Sequence, residues 1–224
     1  MSNTNQNNQD ELQQVEQVLS KSEAFIEKYQ KQLLAGVGIV ILLVLAVLAF
    51  KNFYLDRQEI AASDAMAKAQ QFFAVDSFKV ALNGKADVIG FEEIASDYSM
   101  TPSGNLAAAY TGICYYKLGK YEDAVKFLSK YDGDDTYFST AVVGLIGDAY
   151  AEMGEKDDAL DYFLKAAGKE NKVLSAVYLK KAGIVYEAMS KPEKALEVYQ
   201  QIKDDYPASA EASDIDKYIA RVEK

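Results

Sequence analysis

Acidic side chains are the residues of this chain whose type and spacing come nearest to those of a catalytic site. Neighbouring carboxylates, which could act as a general acid and base, occur at Glu92-Glu93, Glu122-Asp123 and Asp157-Asp158. Adjacent residues of a helix point apart, so such pairs are more typical of solvated helix faces. The chain also has no histidine, which removes the commonest general base and the usual transition-metal ligand. The sequence therefore predicts a protein that is not an enzyme and has no cofactor.

Two short motifs resemble ligand-binding loops but lack essential positions. The segment 132–135 has the aspartates that begin a calcium loop. The central glycine of such a loop is missing, and its twelfth position, where a glutamate belongs, is Val143. The segment Gly36-Val37-Gly38 has the start of a dinucleotide fingerprint without the third glycine. Neither predicts a metal or a cofactor. We expect 132–135 to be a loop between hairpins that caps the next helix.

One long apolar run predicts a membrane anchor. The run 33–50 contains 18 residues without a charge or a proline. As a helix it would span about 27 Å, close to the hydrocarbon thickness of a bilayer. A cleaved signal peptide is the alternative, but 32 residues precede the run and Lys51-Asn52-Phe53 follows it in place of small residues. We therefore expect a transmembrane helix over 33–50.

Residues 1–32 form a polar N-terminal tail in which the sequence predicts an amphipathic helix. Its apolar stripe consists of Leu12, Val15, Leu19, Ile26 and Tyr29. Two interpretations stay open, a helix lying on the membrane surface and a helix docking on a partner protein. The polar face is not rich in Lys or Arg, which weakens the first.

A pattern of small and large residues repeats three times in the C-terminal half, at spacings of 35 and then 36 residues. Each block has a glycine, a tyrosine three residues later, an alanine twelve residues after the glycine, and a bulky residue four further on. Small residues allow two helices of one hairpin to cross closely, and large ones suit packing by the next hairpin. The blocks are Gly112, Tyr115, Ala124, Leu128; Gly147, Tyr150, Ala159, Phe163; and Gly183, Tyr186, Ala195, Tyr199.

The residue at the turn inside the hairpin is a glycine in the first two blocks and a serine in the third. Gly119 and Gly154 fall where a left-handed backbone favours glycine. The third block has Ser190, followed by Pro192 and Glu193. This order predicts Ser190 as the N-cap of the second helix, with Glu193 completing a capping box.

These offsets resemble those of the tetratricopeptide repeat family, although the family's early tryptophan is replaced by Ala108, Val143 and Leu179. The resemblance implies an all-α fold. With the two helices predicted above, the whole chain would consist of the N-terminal amphipathic helix, one transmembrane helix, and a helical-hairpin solenoid closed by a C-terminal capping helix. Residues 51–104 would hold a linker helix and a degenerate first repeat. Residues 105–224 would hold three repeats and the capping helix, whose apolar stripe is Ile215, Tyr218, Ile219 and Val222.

The resemblance also implies a concave partner-binding groove lined by the first helix of each hairpin. The apolar part of the lining could bind a hydrophobic peptide or helix, or could simply pack on neighbouring hairpins. The residues assigned to the groove are Leu106, Ala109, Ile113, Tyr116, Lys117, Asp148, Glu152, Lys180, Ile184 and Glu187.

The layout of tail, single span and repeat domain resembles the single-pass ancillary subunits of the bacterial Sec translocon. This resemblance implies an adaptor of the bacterial inner membrane, with its N-terminus in the cytoplasm and its repeats in the periplasm. Its partners would be translocon subunits, a membrane-bound chaperone and translocating chains, besides the lipid bilayer at 33–50. A net charge of -10 argues against nucleic acid. A structural subunit or scaffold of another envelope complex is the alternative. The charges flanking the run do not decide its orientation.

Overall fold

A computed structural model of the chain describes residues 28–32, 34–169 and 171–223. The chain divides into two compact units, Met1–Asp56 and Arg57–Lys224. Nearly all of the predicted amphipathic helix, and Leu33 at the start of the predicted span, lie outside the described residues. The predicted domain boundaries stay predictions.

The first unit is helical over 28–32 and 34–49, and the second of these segments is called α1. A π-helical turn, Phe50–Leu55, follows it. The large apolar side chains of α1 are exposed. Within the described residues, one helix, Lys28–Ala74, has the length and apolar composition needed to cross a membrane.

The second unit is built from helical hairpins, and its described residues contain no strand apart from a single bridge between Lys85 and Val88. A 3-10 turn at Glu211–Ser213 precedes the last helix. The helices are α2 (Asp56–Ala74), α3 (Phe78–Asn83), α4 (Phe91–Asp97), α5 (Pro102–Lys117), α6 (Tyr121–Leu128), α7 (Phe138–Met153), α8 (Lys156–Ala167), α9 (Leu174–Ala188), α10 (Pro192–Asp205) and α11 (Ile215–Val222).

The repeated glycines lie where the two helices of each hairpin touch. A Cβ atom at Gly112, Gly147 or Gly183 would overlap the side chain that follows in the partner helix, which is Leu128, Phe163 or Tyr199 respectively. The bulky residue of each block therefore fills the space left by the glycine of its own hairpin. Phe163 also meets the next hairpin, as predicted, since its ring stacks on Tyr178 at 6.3 Å.

The repeated alanines and tyrosines also have definite positions. Ala124, Ala159 and Ala195 are fully buried in the core. The tyrosine carbonyls accept backbone hydrogen bonds that close the hairpin turns: Lys120 donates to Tyr115, Glu155 to Tyr150, and Lys191 to Tyr186, each at 2.9 Å. The apolar core consists of two clusters, one of residues 62–146 and one of residues 159–215.

The hairpin turns require a left-handed residue, and this requirement corrects the prediction for Ser190. Gly119 and Gly154 have φ values of 73° and 81°, as expected. Ser190 takes the same conformation, with φ 58°, and is therefore the turn residue of the third hairpin. Lys191 is the N-cap of α10 and Pro192 its first residue, without a side-chain cap. The predicted capping box is wrong because the turn needs Ser190 for its own geometry.

Ser190→Gly should raise the free energy of unfolding by about 1 kcal/mol. A non-glycine residue in the left-handed region costs about 1–2 kcal/mol, which glycine avoids. The greater flexibility of glycine in the unfolded chain offsets part of this gain. Urea unfolding of the full chain in detergent micelles, followed by circular dichroism, measures the change. Ser129→Gly is the matched control. Ser129 ends α6 with φ -69°, so glycine should lower stability there. Equal effects of the two substitutions would contradict the assigned role of Ser190.

The segment ahead of the first clear hairpin packs onto that hairpin through α3 and α4 and through aromatic rings. Phe73 of α2 lies 5.1 Å from the ring of Tyr110 and 6.2 Å from that of Phe91. The Glu59 carboxylate accepts hydrogen bonds from the amide and the hydroxyl of Ser103, at 2.9 and 2.6 Å. These contacts hold α2 and α4 against α5, where a preceding repeat would lie.

Candidate partner-binding surface

The loop 132–135 caps a helix, as predicted. The Asp135 carboxylate accepts hydrogen bonds from the amides of Tyr137, Phe138 and Ser139 at the start of α7, and from the hydroxyls of Ser139 and Tyr131. Desolvation in the folded chain opposes ionisation, but the Ser139 hydroxyl and the other donors lower the pKa of Asp135 below its usual value. No group of acidic or cysteine side chains able to hold a metal ion occurs among the described residues.

The first block of the predicted groove is partly used by the core. Leu106, Ile113 and Tyr116 are half-buried and pack against the first core cluster. Ala109 is 0% exposed, so its side chain is not available to a ligand at the surface. Its methyl group instead fills the interface between helices. Lys117, at the end of α5, is exposed.

The second block joins the third through an ion pair. The Lys181 ammonium group lies 2.7 Å from both carboxylate oxygens of Asp148. Both side chains are partly buried, so Asp148 is engaged by the neighbouring hairpin. The exposed Glu152 lies 3.5 Å from the hydroxyl of Tyr121, whose ring meets Tyr116 at 5.5 Å. Burial, together with the nearby charges of Asp148 and Glu152, raises the pKa of Tyr116.

The third block is paired largely with the capping helix. Lys180 lies 2.6 Å from Asp214, and its ammonium group stands 4.4 Å above the ring of Tyr218. The Glu187 carboxylate accepts two hydrogen bonds from the Arg221 guanidinium, at 2.6 and 2.8 Å, and one from the Tyr199 hydroxyl, at 2.6 Å.

The hydrogen bonds to Glu187 also affect its ionisation. Burial opposes the charge on Glu187, yet the Arg221 and Tyr199 donors lower its pKa.

These pairings leave one large apolar side chain among the predicted groove residues of the third block open to solvent. Ile184, one turn before Glu187 on α9, is 45% exposed. The structure thus separates the ten predicted residues into a buried alanine, three half-buried apolar residues, three charges held within the fold, and three exposed residues, Lys117, Glu152 and Ile184.

One cleft is not indicated by the sequence pattern. An open cleft of about 760 Å³ lies between α3, α4, α5 and α6, over apolar residues that include Leu82, Ala108 and Phe127. Glu92, Glu93 and Asp97 stand at this cleft, and none of the predicted groove residues lines it. The adjacency of Glu92 and Glu93 in the sequence predicts a solvated helix face for them. Only the packing of α4 and α6 against α5 could have indicated that they border a cleft.

A second apolar cleft lies near the start of α9. It has a volume of about 690 Å³ and includes Val173, Val177, Tyr206 and Pro207. Pro207 follows the third block of the repeat pattern along the chain. The cleft therefore forms where the last repeat gives way to the capping segment.

Comparison with a family model supports the repeat assignment in the first and third blocks. Residues 110–131 and 179–209 match the tetratricopeptide repeat family model. A crystal structure of MamA protein shares 22% identity, with a TM-score of 0.50, over 63% of this chain and 72% of that one. A second crystal structure of MamA shares 20% identity at the same TM-score, over 69% and 94%. A search of curated proteins found no match.

A third solved structure supports the same architecture. Nearly identical TPR-like repeats, from a Podosopora anserina protein described as a kinesin light chain, align with a TM-score of 0.55. They share 12% identity, over 71% of this chain and 84% of that one. At these identities the structural likeness shows the fold alone. The chain therefore has a tetratricopeptide-type helical solenoid, which is a protein-interaction architecture.

Proposed function

We propose that this chain is a membrane-anchored, non-enzymatic adaptor that binds a segment of another protein along the first helices of its repeats. The observation that carries the proposal is the set of exposed residues on consecutive first helices, Lys117 on α5, Glu152 on α7 and Ile184 on α9. In a solenoid, consecutive repeats present such positions along one extended surface.

The chemistry of this surface favours a mixed partner segment. Ile184 offers an apolar anchor, while Lys117 and Glu152 offer opposite charges for complementary side chains. Asp148, Lys180 and Glu187 already have partners within the fold, so a ligand would gain less from them. A peptide with one apolar side chain near one end, followed by charged residues of both signs, fits this arrangement.

The apolar helix supports membrane attachment. The side chains of α1 are exposed along its length, and burying them in a bilayer removes this apolar surface from water. Attachment to the membrane would confine the repeats and their partners to one plane, which raises their effective concentration without new contacts.

The cellular setting that we propose is the bacterial inner membrane, with the N-terminus in the cytoplasm and the repeats in the periplasm. There the adaptor would assist newly translocated chains, in contact with translocon subunits and a membrane-bound chaperone. The support for this setting is the layout of tail, apolar helix and repeat domain.

In-cell photocrosslinking from position 184 tests the adaptor proposal. A crosslinkable residue at Ile184 should capture a defined set of proteins, and Ile184→Asp should weaken binding of the purified partner about tenfold, since it places an unpaired charge against an apolar side chain. Val75→Asp is the control, because Val75 is an exposed apolar residue of the turn after α2. Equal effects of the two variants would contradict binding at the exposed first-helix residues. Capture of cytoplasmic proteins alone would overturn the periplasmic setting.

The alternative is a structural subunit of another envelope complex, and the 760 Å³ cleft favours it. That cleft offers an apolar floor and carboxylates away from the predicted groove. Glu93→Lys combined with Asp97→Lys would disrupt an assembly contact there and leave capture from position 184 unchanged. Loss of complex formation in this double variant alone would favour the structural alternative.

A further inference from the structure

The π-helical turn Phe50–Leu55 carries three exposed aromatic rings. Phe50, Phe53 and Tyr54 are 46%, 74% and 51% exposed. The rings of Phe50 and Tyr54 stack at 5.1 Å. We call these three residues the aromatic collar. The turn is closed by the Asp56 amide, which donates to the Lys51 carbonyl five residues earlier.

The collar lies directly after the apolar helix along the chain. At about 1.5 Å per residue, the helix 34–49 has a length of about 24 Å. The hydrocarbon core of a bilayer is roughly 30 Å thick. The next turn would therefore reach the boundary between hydrocarbon and headgroups. Aromatic residues are enriched at this depth because their rings are apolar while the Tyr hydroxyl can remain hydrated.

We propose that the aromatic collar binds the headgroup region of the bilayer and sets the depth of the apolar helix. The inference rests on the proposed membrane attachment. It goes further by assigning residues 50–54 to the lipid interface and by fixing the level at which the chain leaves the membrane.

The polar residues of the same turn support a lipid surface as the occupant. Lys51 and Asn52 separate the aromatic residues, and both are exposed. A lysine at this level can lay its carbon chain along apolar surface and extend its ammonium group to a phosphate. If the collar bound a purely apolar protein surface, Lys51 and Asn52 would have no polar partners. The headgroup region accepts aromatic, cationic and amide groups together.

Tryptophan fluorescence tests the depth of the collar, because the chain has no tryptophan of its own. The full chain carrying Phe53→Trp would be reconstituted into phosphatidylcholine and phosphatidylglycerol vesicles with lipids brominated either near the headgroup or near the bilayer centre. Val44→Trp, in the middle of α1, is the deep reference. Tyr137→Trp, at an exposed position before α7, is the aqueous reference.

We expect the shallow bromines to quench Phe53→Trp at least about twofold more strongly than the deep ones, as for residues of an aromatic belt. Val44→Trp should show the reverse order, and Tyr137→Trp should be quenched by neither lipid. Quenching of Val44→Trp without quenching of Phe53→Trp would overturn the collar assignment and leave the membrane anchor intact. Stronger deep quenching of Phe53→Trp would also overturn it, because the turn would then lie inside the hydrocarbon. Quenching of neither variant would overturn both the collar assignment and the anchor.

Discussion

Gly183→Val should lower the free energy of unfolding by about 3 kcal/mol, the upper part of the range for overpacked interiors. Even the first added carbon would overlap the ring of Tyr199. That ring is fully buried, and its hydroxyl donates to Glu187 at 2.6 Å, so it has little freedom to move away. The better helix propensity of valine recovers only a fraction of this cost. Urea unfolding in detergent micelles, followed by circular dichroism, measures the loss.

Two further variants distinguish a local clash from a general effect of replacing glycine. Gly168→Ala, at the end of α8, adds a carbon that meets only ordinary van der Waals neighbours, and φ there is -72°. It should leave stability unchanged or raise it by up to about 1 kcal/mol. Tyr199→Leu combined with Gly183→Val should be less destabilising than the sum of the single changes, because leucine is smaller than tyrosine and leaves room for the valine side chain. Simple additivity would contradict a direct contact between positions 183 and 199.

The solenoid was predictable because its packing depends on residue size at fixed intervals. Glycine at 112, 147 and 183 faces a bulky residue in the partner helix in every block, and this regularity is visible in the sequence. The left-handed turns at Gly119 and Gly154 were predictable because glycine adopts a positive φ more readily than other residues. Ser190 was not, since serine is also a good N-cap and sequence alone gives no preference for the turn position.

The state of the groove residues could not be predicted, because it depends on pairs formed between separate elements. Asp148 is neutralised by Lys181, 33 residues later, and Glu187 by Arg221, 34 residues later. Whether such charges meet depends on the angle between neighbouring hairpins and on where α11 lies. Periodicity assigns a residue to a helix face, but it does not reveal whether a neighbouring repeat already occupies that residue.

Asp135→Ala should lower the free energy of unfolding by about 2 kcal/mol, the upper end for loss of a helix cap, because the amides at the start of α7 lose their acceptor. The pKa of Asp135 is lower in the folded chain than in the unfolded chain. The part of its contribution that depends on the charge is therefore fully present above the unfolded pKa of about 3.9 and is lost as the pH falls through the folded value. Unfolding of both proteins between pH 7 and pH 2 would show the difference in their stabilities shrinking toward the acidic end.

Asp135→Asn separates the charge from the hydrogen bonds, and the next hairpin offers a natural precedent. At the start of α9, the amide oxygen of Asn171 accepts hydrogen bonds from the amides of Val173 and Leu174, at 3.0 and 2.9 Å. Asparagine at 135 should thus preserve part of the cap, at a cost below that of alanine, and should remove the Asp135 contribution to the acid dependence. A difference between wild type and Asp135→Asn that stays constant down to pH 2 would mean that the ionised carboxylate does not stabilise α7.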